Sequence, residues 1–266
     1  MTASTVGVET GALLETRSLC LSAGGRTLLA GLDWRVERGQ RWCVIGRNGV
    51  GKSLLLRALA GLGVPGRSGT VSWQGRALEH WPVGAAAAVR SLMPQQAQDR
   101  FGLAVARVLA LSDGGLPGDE PEAARLEDLL EALDIGHLVV RRVDQLSGGE
   151  RQRVALAQCA VQRAALMLLD EPVSFQDPAH QQRVGRWLSQ PSGVSGDGAA
   201  RWTRGGGWVA TAHDPSWIAR VATHVLALDG EGGWQAGACA QVLTAVTLER
   251  TYGCAWREVE GAWIPA

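Results

Sequence analysis

Apolar residues follow two patterns along the chain, and each pattern predicts its own kind of strand. In residues 14–22, and again around 32–36, apolar and polar positions alternate. This alternation predicts antiparallel strands that bury one face. Residues 41–45, 164–169 and 207–212 are apolar at nearly every position. Such short runs predict strands that are buried on both faces of a parallel sheet.

Segments with the composition of helices lie between these strands. Residues 54–60 are good helix formers and end at Gly61, a residue type that often follows a helix C-terminus. Further helices are predicted at 103–111 and 122–133. Residues 190–207 are rich in glycine and serine and predict a long loop. Helices that alternate with buried strands indicate an α/β fold.

Composition limits the classes of protein to which the chain can belong. Its 266 residues, 46% of them hydrophobic, can bury a core for one α/β domain, alone or with an inserted subdomain. The 26 basic and 26 acidic residues balance, so we expect no electrostatic surface for nucleic acid. No apolar run approaches the roughly 18–20 residues that span a bilayer, and the N-terminal stretch lacks a signal-peptide pattern. The five cysteines never fall at metal-ligand spacing, which argues against a Cys/His metal cluster.

Of the 26 basic residues only Lys52 is a lysine, and the residues around it suggest why. Residues 46–53 match the pattern G-x-x-x-x-G-K-[ST] between a predicted buried strand and a predicted helix, which is the context of a phosphate-binding P-loop. The glycines let backbone N–H groups converge on an anion, and the dipole of the following helix favours negative charge there. A compact ammonium suits this position, and a planar guanidinium is not equivalent to it.

The P-loop pattern predicts a site for a nucleoside triphosphate. Lys52 would reach the β- and γ-phosphates, and the Ser53 hydroxyl would bind Mg²⁺. The alternative is an ordinary turn in a chain with 35 glycines, but that alternative accounts for neither the strand before the loop nor the helix after it. The residues of this loop that we expect to contact the nucleotide are Gly46, Arg47, Asn48, Gly49, Val50, Gly51, Lys52 and Ser53.

Two carboxylates, Asp170 and Glu171, follow the apolar run at 164–169. In a P-loop protein, a buried strand that ends in carboxylates supplies a partner for Mg²⁺ and a residue that orients the attacking water. We expect Asp170 to take the metal role and Glu171 to act as the base. Without the P-loop, a strand that simply ends in an acidic turn would be an equal alternative.

A third motif, Leu-Ser-Gly-Gly-Glu-Arg-Gln-Arg at residues 146–153, opens a helical run that precedes the acidic pair. Ser147 can cap this helix with Glu150 as its capping-box partner, and the glycine-rich turn forms a second anion site at a helix N-terminus. Here the chain resembles the ATP-binding cassette (ABC) ATPases, whose signature is LSGGQ or LSGGE with this downstream helix. Since a triphosphate needs only one such site per chain, we expect the signature to serve a second copy, in a head-to-tail dimer with two ATP molecules.

The resemblance extends over nearly the whole chain and implies roles for further residues. Gln95 matches the Q-loop glutamine, which reaches the metal or water and couples to the membrane partner. Residues 174–177 match the D-loop, with Gln176 in place of the usual leucine, and this difference puts the local packing in question. His213, which follows the third apolar run, matches the switch histidine that contacts the γ-phosphate.

Together these motifs define the expected site, with ATP and Mg²⁺ as cofactors. The catalytic residues are expected to be Glu171, His213 and Gln95. The metal-binding residues are expected to be Ser53, Gln95 and Asp170. Outside the P-loop, the residues expected to contact nucleotide are Ser147, Gly148, Gly149 and Asp177.

One position departs from the ABC pattern. The family usually stacks adenine on an aromatic residue near the start of the domain, but residues 21–26 place Ala23 there. Stacking against a base contributes roughly 1–3 kcal/mol in other settings. Two interpretations stay open: base selectivity and affinity are weakened, or Arg26 covers the ring instead.

The resemblance implies a P-loop NTPase core with an antiparallel β-subdomain and an inserted α-helical subdomain. We expect a single ABC ATPase domain over residues 12–250, with its core at 12–95 and 161–235 and its helical subdomain at about 96–160. Residues 251–266 would form a C-terminal extension.

The resemblance also implies a function, which is ATP hydrolysis that powers import through a separate membrane permease. Residues 90–96 and 101–111, with 248–259, are similar to segments of the ATPases that serve iron–siderophore, haem and cobalamin importers. The expected partners are a permease, a second copy of the chain and a substrate-binding protein, with no nucleic acid, at the cytoplasmic face of the cell membrane. The alternatives are a soluble non-transport ABC ATPase that acts as a clamp on a macromolecular partner, and a cassette that binds ATP without hydrolysis.

Overall fold

The computed structural model describes residues 11–95, 102–112, 120–190, 203 and 206–266. Most of the predicted loop at 190–207 lies outside the described residues. The strands are β1 (Leu14–Ala23), β2 (Arg26–Val36), β3 (Arg41–Ile45), β4 (Arg67–Trp73), β5 (Arg76–Ala77), β6 (Arg90–Met93), β7 (Leu166–Leu169), β8 (Gly207–Thr211), β9 (His224–Leu228), β10 (Trp234–Ala238), β11 (Trp256–Val259) and β12 (Ala262–Pro265). The helices are α1 (Lys52–Leu59), α2 (Val83–Val89), α3 (Val105–Ser112), α4 (Glu120–Ala132), α5 (Gly148–Val161), α6 (Pro178–Ser189), α7 (Pro215–Val221), α8 (Cys239–Val242) and α9 (Ala245–Tyr252).

The central sheet has six strands in the order β10-β9-β3-β8-β7-β6. Its strand pairs are parallel, apart from the pairing of β10 with β9 at one edge. The three apolar runs predicted from the sequence are β3, β7 and β8, and they lie side by side with β8 in the middle. Because parallel strands end at the same edge of a sheet, the loops that follow these three strands lie together.

Both faces of the central sheet are covered, which explains why its strands are apolar throughout. Along β3, Cys43 and Ile45 pack into one hydrophobic cluster, whereas Trp42 and Val44 pack into the other. The first cluster contains the buried faces of α5, α6 and α7, and the second contains α1 and strands of the smaller sheet. A strand between two apolar layers has no polar face.

The smaller sheet is antiparallel, in the order β2-β1-β4-β5, as the alternating pattern predicted. The buried positions of β1 change phase between Thr16 and Leu19. At that point the register of β1 against both neighbours shifts, and Ser18 adopts a positive φ of 46°. An extra residue of this kind keeps the apolar side chains on the buried face on both sides of the irregularity.

The helices predicted at 103–111 and 122–133 are confirmed as α3 and α4, with bounds that differ by one or two residues. Both pack against α5, which runs from the signature motif toward the central sheet. Gly61 follows the end of α1 with a positive φ of 78°, as its position after the helical run predicted. In the part of the chain that the structure describes, no helix is long and apolar enough to cross a membrane.

Candidate nucleotide-binding site

The loop after β3 has the backbone geometry of an anion-binding turn. Gly46 has a φ of 155°, and a Cβ placed on it would lie 2.7 Å from Cγ2 of Val50, so a larger residue does not fit. Gly51 is left-handed, with a φ of 102°, and directly precedes α1. No side chain in the part of the chain that the structure describes caps this helix. The N–H groups of its first turn are therefore available to an anion.

Lys52, the first residue of α1, lies against this loop. The residue is 7% exposed, and its Nζ donates hydrogen bonds to the backbone oxygens of Gly46 (2.7 Å) and Arg47 (3.1 Å). Burial lowers the pKa of Lys52, and the nearby carboxylates of Glu171 and Asp170 act in the opposite direction. The ammonium thus lies between the carbonyls of the P-loop and the acidic pair.

Asp170 is held in place by the two strands that flank its own. It follows β7, is 5% exposed, and donates its N–H to the backbone oxygen of Met93 in β6 (2.9 Å). Its Oδ1 accepts a hydrogen bond from Oγ1 of Thr211 at the end of β8 (2.7 Å). The order of the strands, with β7 between β6 and β8, therefore determines where this carboxylate lies.

Glu171 adopts a left-handed backbone conformation, with a φ of 52°. Such a conformation costs roughly 1–3 kcal/mol for a residue other than glycine. Its N–H donates to Oγ1 of Thr211 (2.9 Å), and its carbonyl accepts from Nε2 of Gln152 (2.7 Å). Its Oε2 accepts from Oγ of Ser174 (2.7 Å), and its Oε1 lies 2.6 Å from Nε2 of His213. These four contacts stabilise the strained backbone and orient the carboxylate.

Hydrogen bonds keep Glu171 ionised despite its partial burial. Burial acts to raise the pKa of Glu171, but hydrogen bonds from Ser174, His213 and Gln95 outweigh it, so the pKa lies below its usual range. The contact with Gln95 places the Q-loop glutamine beside this carboxylate. An ionised carboxylate can accept hydrogen bonds from water or bind a cation. The predicted site residues that converge here from separate parts of the chain are Lys52, Gln95, Asp170, Glu171 and His213.

Two residues of this arrangement were not singled out from the sequence. The hydroxyl of Thr211 joins Asp170 to Glu171, and a signal for it existed: it ends β8, the neighbour of β7 in the sheet. Hydroxyl and carboxyl groups at the ends of adjacent parallel strands are brought together by the fold. Gln152 carried no comparable signal, because its contact with Glu171 depends on how α5 packs against the central sheet.

The signature motif forms the capped helix N-terminus that was predicted. Oγ of Ser147 accepts from the N–H of Glu150 (3.3 Å), and the N–H of Ser147 donates to Oε2 of Glu150 (2.7 Å). A Cβ on Gly149 would lie 2.8 Å from the backbone oxygen of Phe175, which excludes larger residues. Among the described residues, no hydrogen bond joins residues 147–149 to the P-loop of the same chain.

Gln176, which stands where the ABC family usually has leucine, lies in a buried position of the D-loop. Its Nε2 donates to the backbone oxygen of Pro172 (3.0 Å), while its Oε1 has no hydrogen-bond partner among the described residues. Asp177 caps α6 by accepting a hydrogen bond from the N–H of His180 (2.9 Å). Phe175, which lies in sequence between the acidic pair and Gln176, has a positive φ of 62° and is 68% exposed.

Comparison with known proteins identifies relatives of this chain. Residues 29–174 match the protein family described as ABC transporter. The hemin import ATP-binding protein HmuV of Ruegeria sp. (strain TM1040) is 35% identical over 250 residues, which cover 91% of this chain and 91% of the relative. The protein of the same name from Bordetella pertussis is 35% identical over 254 residues, which cover 90% of this chain and 92% of the relative.

The fold has solved counterparts. A metal-chelate type ABC transporter, solved in an inward-facing conformation, matches with a TM-score of 0.73 and 21% sequence identity. The match covers 96% of this chain and 98% of that chain. The family match spans more than half of the present chain and includes its P-loop, signature and acidic pair. The chain therefore belongs to the ABC transporter family, as an ATP-binding subunit with a P-loop NTPase fold whose ATP hydrolysis is coupled to transport.

Proposed function

We propose that this chain hydrolyses ATP in a head-to-tail dimer and thereby powers the import of a haem-type ligand through a separate membrane permease. The observation that carries the hydrolytic part is Glu171, which is ionised and bonded to His213 beside Asp170 and Lys52. The import part is supported by relatives named hemin import ATP-binding proteins, which are 35% identical over most of their length.

The P-loop would bind the triphosphate. Backbone N–H groups of residues 46–53 would surround the phosphates, and Lys52 would exchange its bonds to two loop carbonyls for bonds to the β- and γ-phosphates. A charged phosphate oxygen is a stronger acceptor than a neutral carbonyl, which favours this exchange. The contacts that hold Lys52 in the loop support this role for its ammonium.

Ser53, Asp170 and Gln95 would hold Mg²⁺. They offer hydroxyl, carboxylate and amide oxygens, which are the ligand types that this ion prefers, so the donor set fits. Asp170 is already fixed by Thr211 and by the backbone of β6. When bound, the ion supplies positive charge next to the phosphate oxygens.

Glu171 would orient the attacking water. Its pKa below the usual range makes it a hydrogen-bond acceptor for water at neutral pH rather than a strong proton acceptor. His213, now bonded to Glu171, would donate to the γ-phosphate and so place that group next to the water. Catalysis in this class depends mostly on positioning and electrostatic stabilisation.

The signature of a second copy would complete the site. Ser147, Gly148 and Gly149 begin α5, whose N-terminus suits an anion, and Asp177 lies in the neighbouring D-loop. Within the described residues these groups make no hydrogen bond to the P-loop of their own chain. In a head-to-tail pair, each copy would present them to the nucleotide of the other. ATP binding would then close the dimer, and hydrolysis would open it. This change in the conformation of the dimer would be transmitted to the permease.

The membrane assignment is also part of the proposal. We infer a peripheral position at the cytoplasmic face of the membrane, bound to a permease and served by a substrate-binding protein. The import names of the relatives support this inference. A clamp on nucleic acid or a ribosome is disfavoured, because the 26 acidic and 26 basic residues leave no net positive charge for a polyanion.

Ala23→Tyr is expected to tighten ATP binding by up to about 1–3 kcal/mol, the scale of base–aromatic stacking. Ala23 is exposed at the end of β1, paired with Arg26 across a tight turn. Leu28, just beyond that turn, packs against Gly51, so the turn lies beside the nucleotide site. The maximal hydrolysis rate should change little, because the new contact is equally present in the ground and transition states.

Titration of ATP and GTP against the wild type, Ala23→Tyr and Ala23→Leu measures this effect. Leucine adds apolar area without an aromatic ring, so it separates stacking from simple burial. Wild type is expected to discriminate weakly between the two bases. Equal ATP affinities in wild type and Ala23→Tyr would mean that the position is not a vacant stacking site.

Growth on haem tests the proposed cargo. In the source organism, a chromosomal Glu171→Gln substitution is expected to prevent growth when haem is the sole iron source. Growth on a ferric salt, which does not need haem import, provides the control. Normal growth of the variant on haem would contradict the assignment of a haem-type ligand, whereas the ATPase assays described below test hydrolysis separately.

A further inference from the structure

The segment from residue 245 to residue 266 forms a separate layer against the central sheet, here called the C-terminal brace. It consists of α9 and the hairpin of β11 with β12. Leu248 is fully buried in the core cluster, and Tyr252, Trp256 and Trp263 pack against the same cluster. The rings of Tyr252 and Trp256 lie 5.6 Å apart. The brace is thus anchored by large apolar groups at both the helix and the hairpin.

One end of the brace contacts the start of the P-loop. Burial raises the pKa of Tyr252, the single tyrosine of the chain, to about 12, and the neighbouring backbone N–H of Gly46 opposes that rise. The hydroxyl is buried and makes no hydrogen bond among the described residues. Gly253 ends α9 in the left-handed conformation, and a Cβ on it would lie 3.6 Å from the guanidinium of Arg47. The first two residues of the P-loop therefore rest on this end of the brace.

The other end of the brace holds the segment that follows His213. Asp214 caps α7, and Ser216 lies in its first turn. Oγ of Ser216 accepts from the N–H of Trp263 (2.8 Å) and donates to the backbone oxygen of Trp263 (3.3 Å). The side chain of Ser216 thus bonds to both the N–H and the carbonyl of Trp263 in β12, as a neighbouring strand would. The hairpin is tied by this pair of bonds to the loop that carries His213.

We propose that the C-terminal brace fixes the position of the P-loop relative to the loop that carries His213, with Ser216 and Tyr252 as positioning residues. The inference rests on the proposed ATPase function, in which the two loops contact the same triphosphate from different sides. They belong to segments that are more than 150 residues apart in sequence, and the brace contacts both. Small displacements of groups that position a reacting centre can lower a rate strongly.

Ser216→Ala tests the brace because it removes both bonds to Trp263 without touching the nucleotide site. We expect kcat for ATP hydrolysis to fall about five- to tenfold, the effect of losing one or two hydrogen bonds, while KM for ATP changes less than twofold. Hydrogen–deuterium exchange should increase at residues 213–218 and also at residues 46–51. The increase at the P-loop is the distinguishing result, because Ser216 contacts the hairpin and not that loop.

Two further variants separate positioning from a general loss of stability. Ser216→Thr keeps the hydroxyl and should restore both kcat and the exchange pattern. Ser189→Ala removes a similar hydroxyl-to-carbonyl bond at the end of α6, and both quantities should equal those of the wild type. An unchanged exchange pattern at residues 46–51 in Ser216→Ala would overturn the brace. A wild type that fails to hydrolyse ATP would overturn the proposed function instead, and the exchange measurement would still decide on the brace.

Discussion

Glu171→Gln is expected to lower kcat for ATP hydrolysis by about 10²–10³-fold, the scale of losing one preorganised electrostatic group. Glutamine keeps the size of the side chain, and its amide can still meet Ser174 and His213, so the fold around β7 should be retained. Binding of ATP should persist, because Lys52 and the amides of the P-loop are unchanged. With binding intact and hydrolysis blocked, the closed head-to-tail dimer should accumulate.

Steady-state hydrolysis and size-exclusion chromatography with ATP and Mg²⁺ measure the two effects together. Glu127→Gln makes the same chemical change at an exposed position on α4 and should behave as wild type. The Glu171→Gln protein is expected to elute as a dimer only when ATP is present. Hydrolysis by this variant at close to the wild-type rate would show that Glu171 is not the residue that orients water.

Lys52→Arg is expected to be nearly as damaging as Lys52→Ala, although it preserves the charge. The ammonium of Lys52 occupies a narrow place, 2.7 Å from the Gly46 oxygen and 3.1 Å from the Arg47 oxygen, with 7% of the residue exposed. A planar guanidinium is larger and cannot take this place without displacing the loop or a phosphate oxygen. We expect kcat/KM to fall by about 10²–10³-fold, the scale of losing one preorganised electrostatic group.

Arg57→Lys provides a matched control, since it exchanges the same two residue types on the exposed face of the same helix. Labelled ATP binding and hydrolysis should be unchanged in that control. The chain uses arginine at every basic position other than Lys52, so a general preference for lysine cannot account for this residue. Unchanged ATP affinity and turnover in Lys52→Arg would show that a guanidinium can take the place of the Lys52 ammonium.

Local signals were sufficient to predict most of the fold. The three apolar runs became β3, β7 and β8 because a strand buried on both faces needs apolar residues at every position. The capping box at Ser147 and Glu150 was predictable because its two hydrogen bonds lie within one turn of a helix. These features depend on residues that are close in sequence.

The support around Glu171 was not predictable to the same degree. The bonds from Thr211 and Gln152 join residues 40 and 19 positions away from Glu171, and they depend on strand order and helix packing. The buried place of Gln176 is a further example, because an amide at a leucine position becomes acceptable only when Pro172 supplies an acceptor. Contacts of the C-terminal brace with the P-loop likewise require the complete fold.

We infer that this ATPase works as part of a membrane transporter. Affinity purification of the tagged full-length chain from detergent-solubilised membranes of its source organism, followed by mass spectrometry, tests this claim most directly. We expect a membrane protein with many spanning segments to co-purify in a fixed ratio to the chain, and to remain bound when Glu171 is replaced by glutamine. Recovery of ribosomes or DNA without any membrane-spanning protein would contradict the claim.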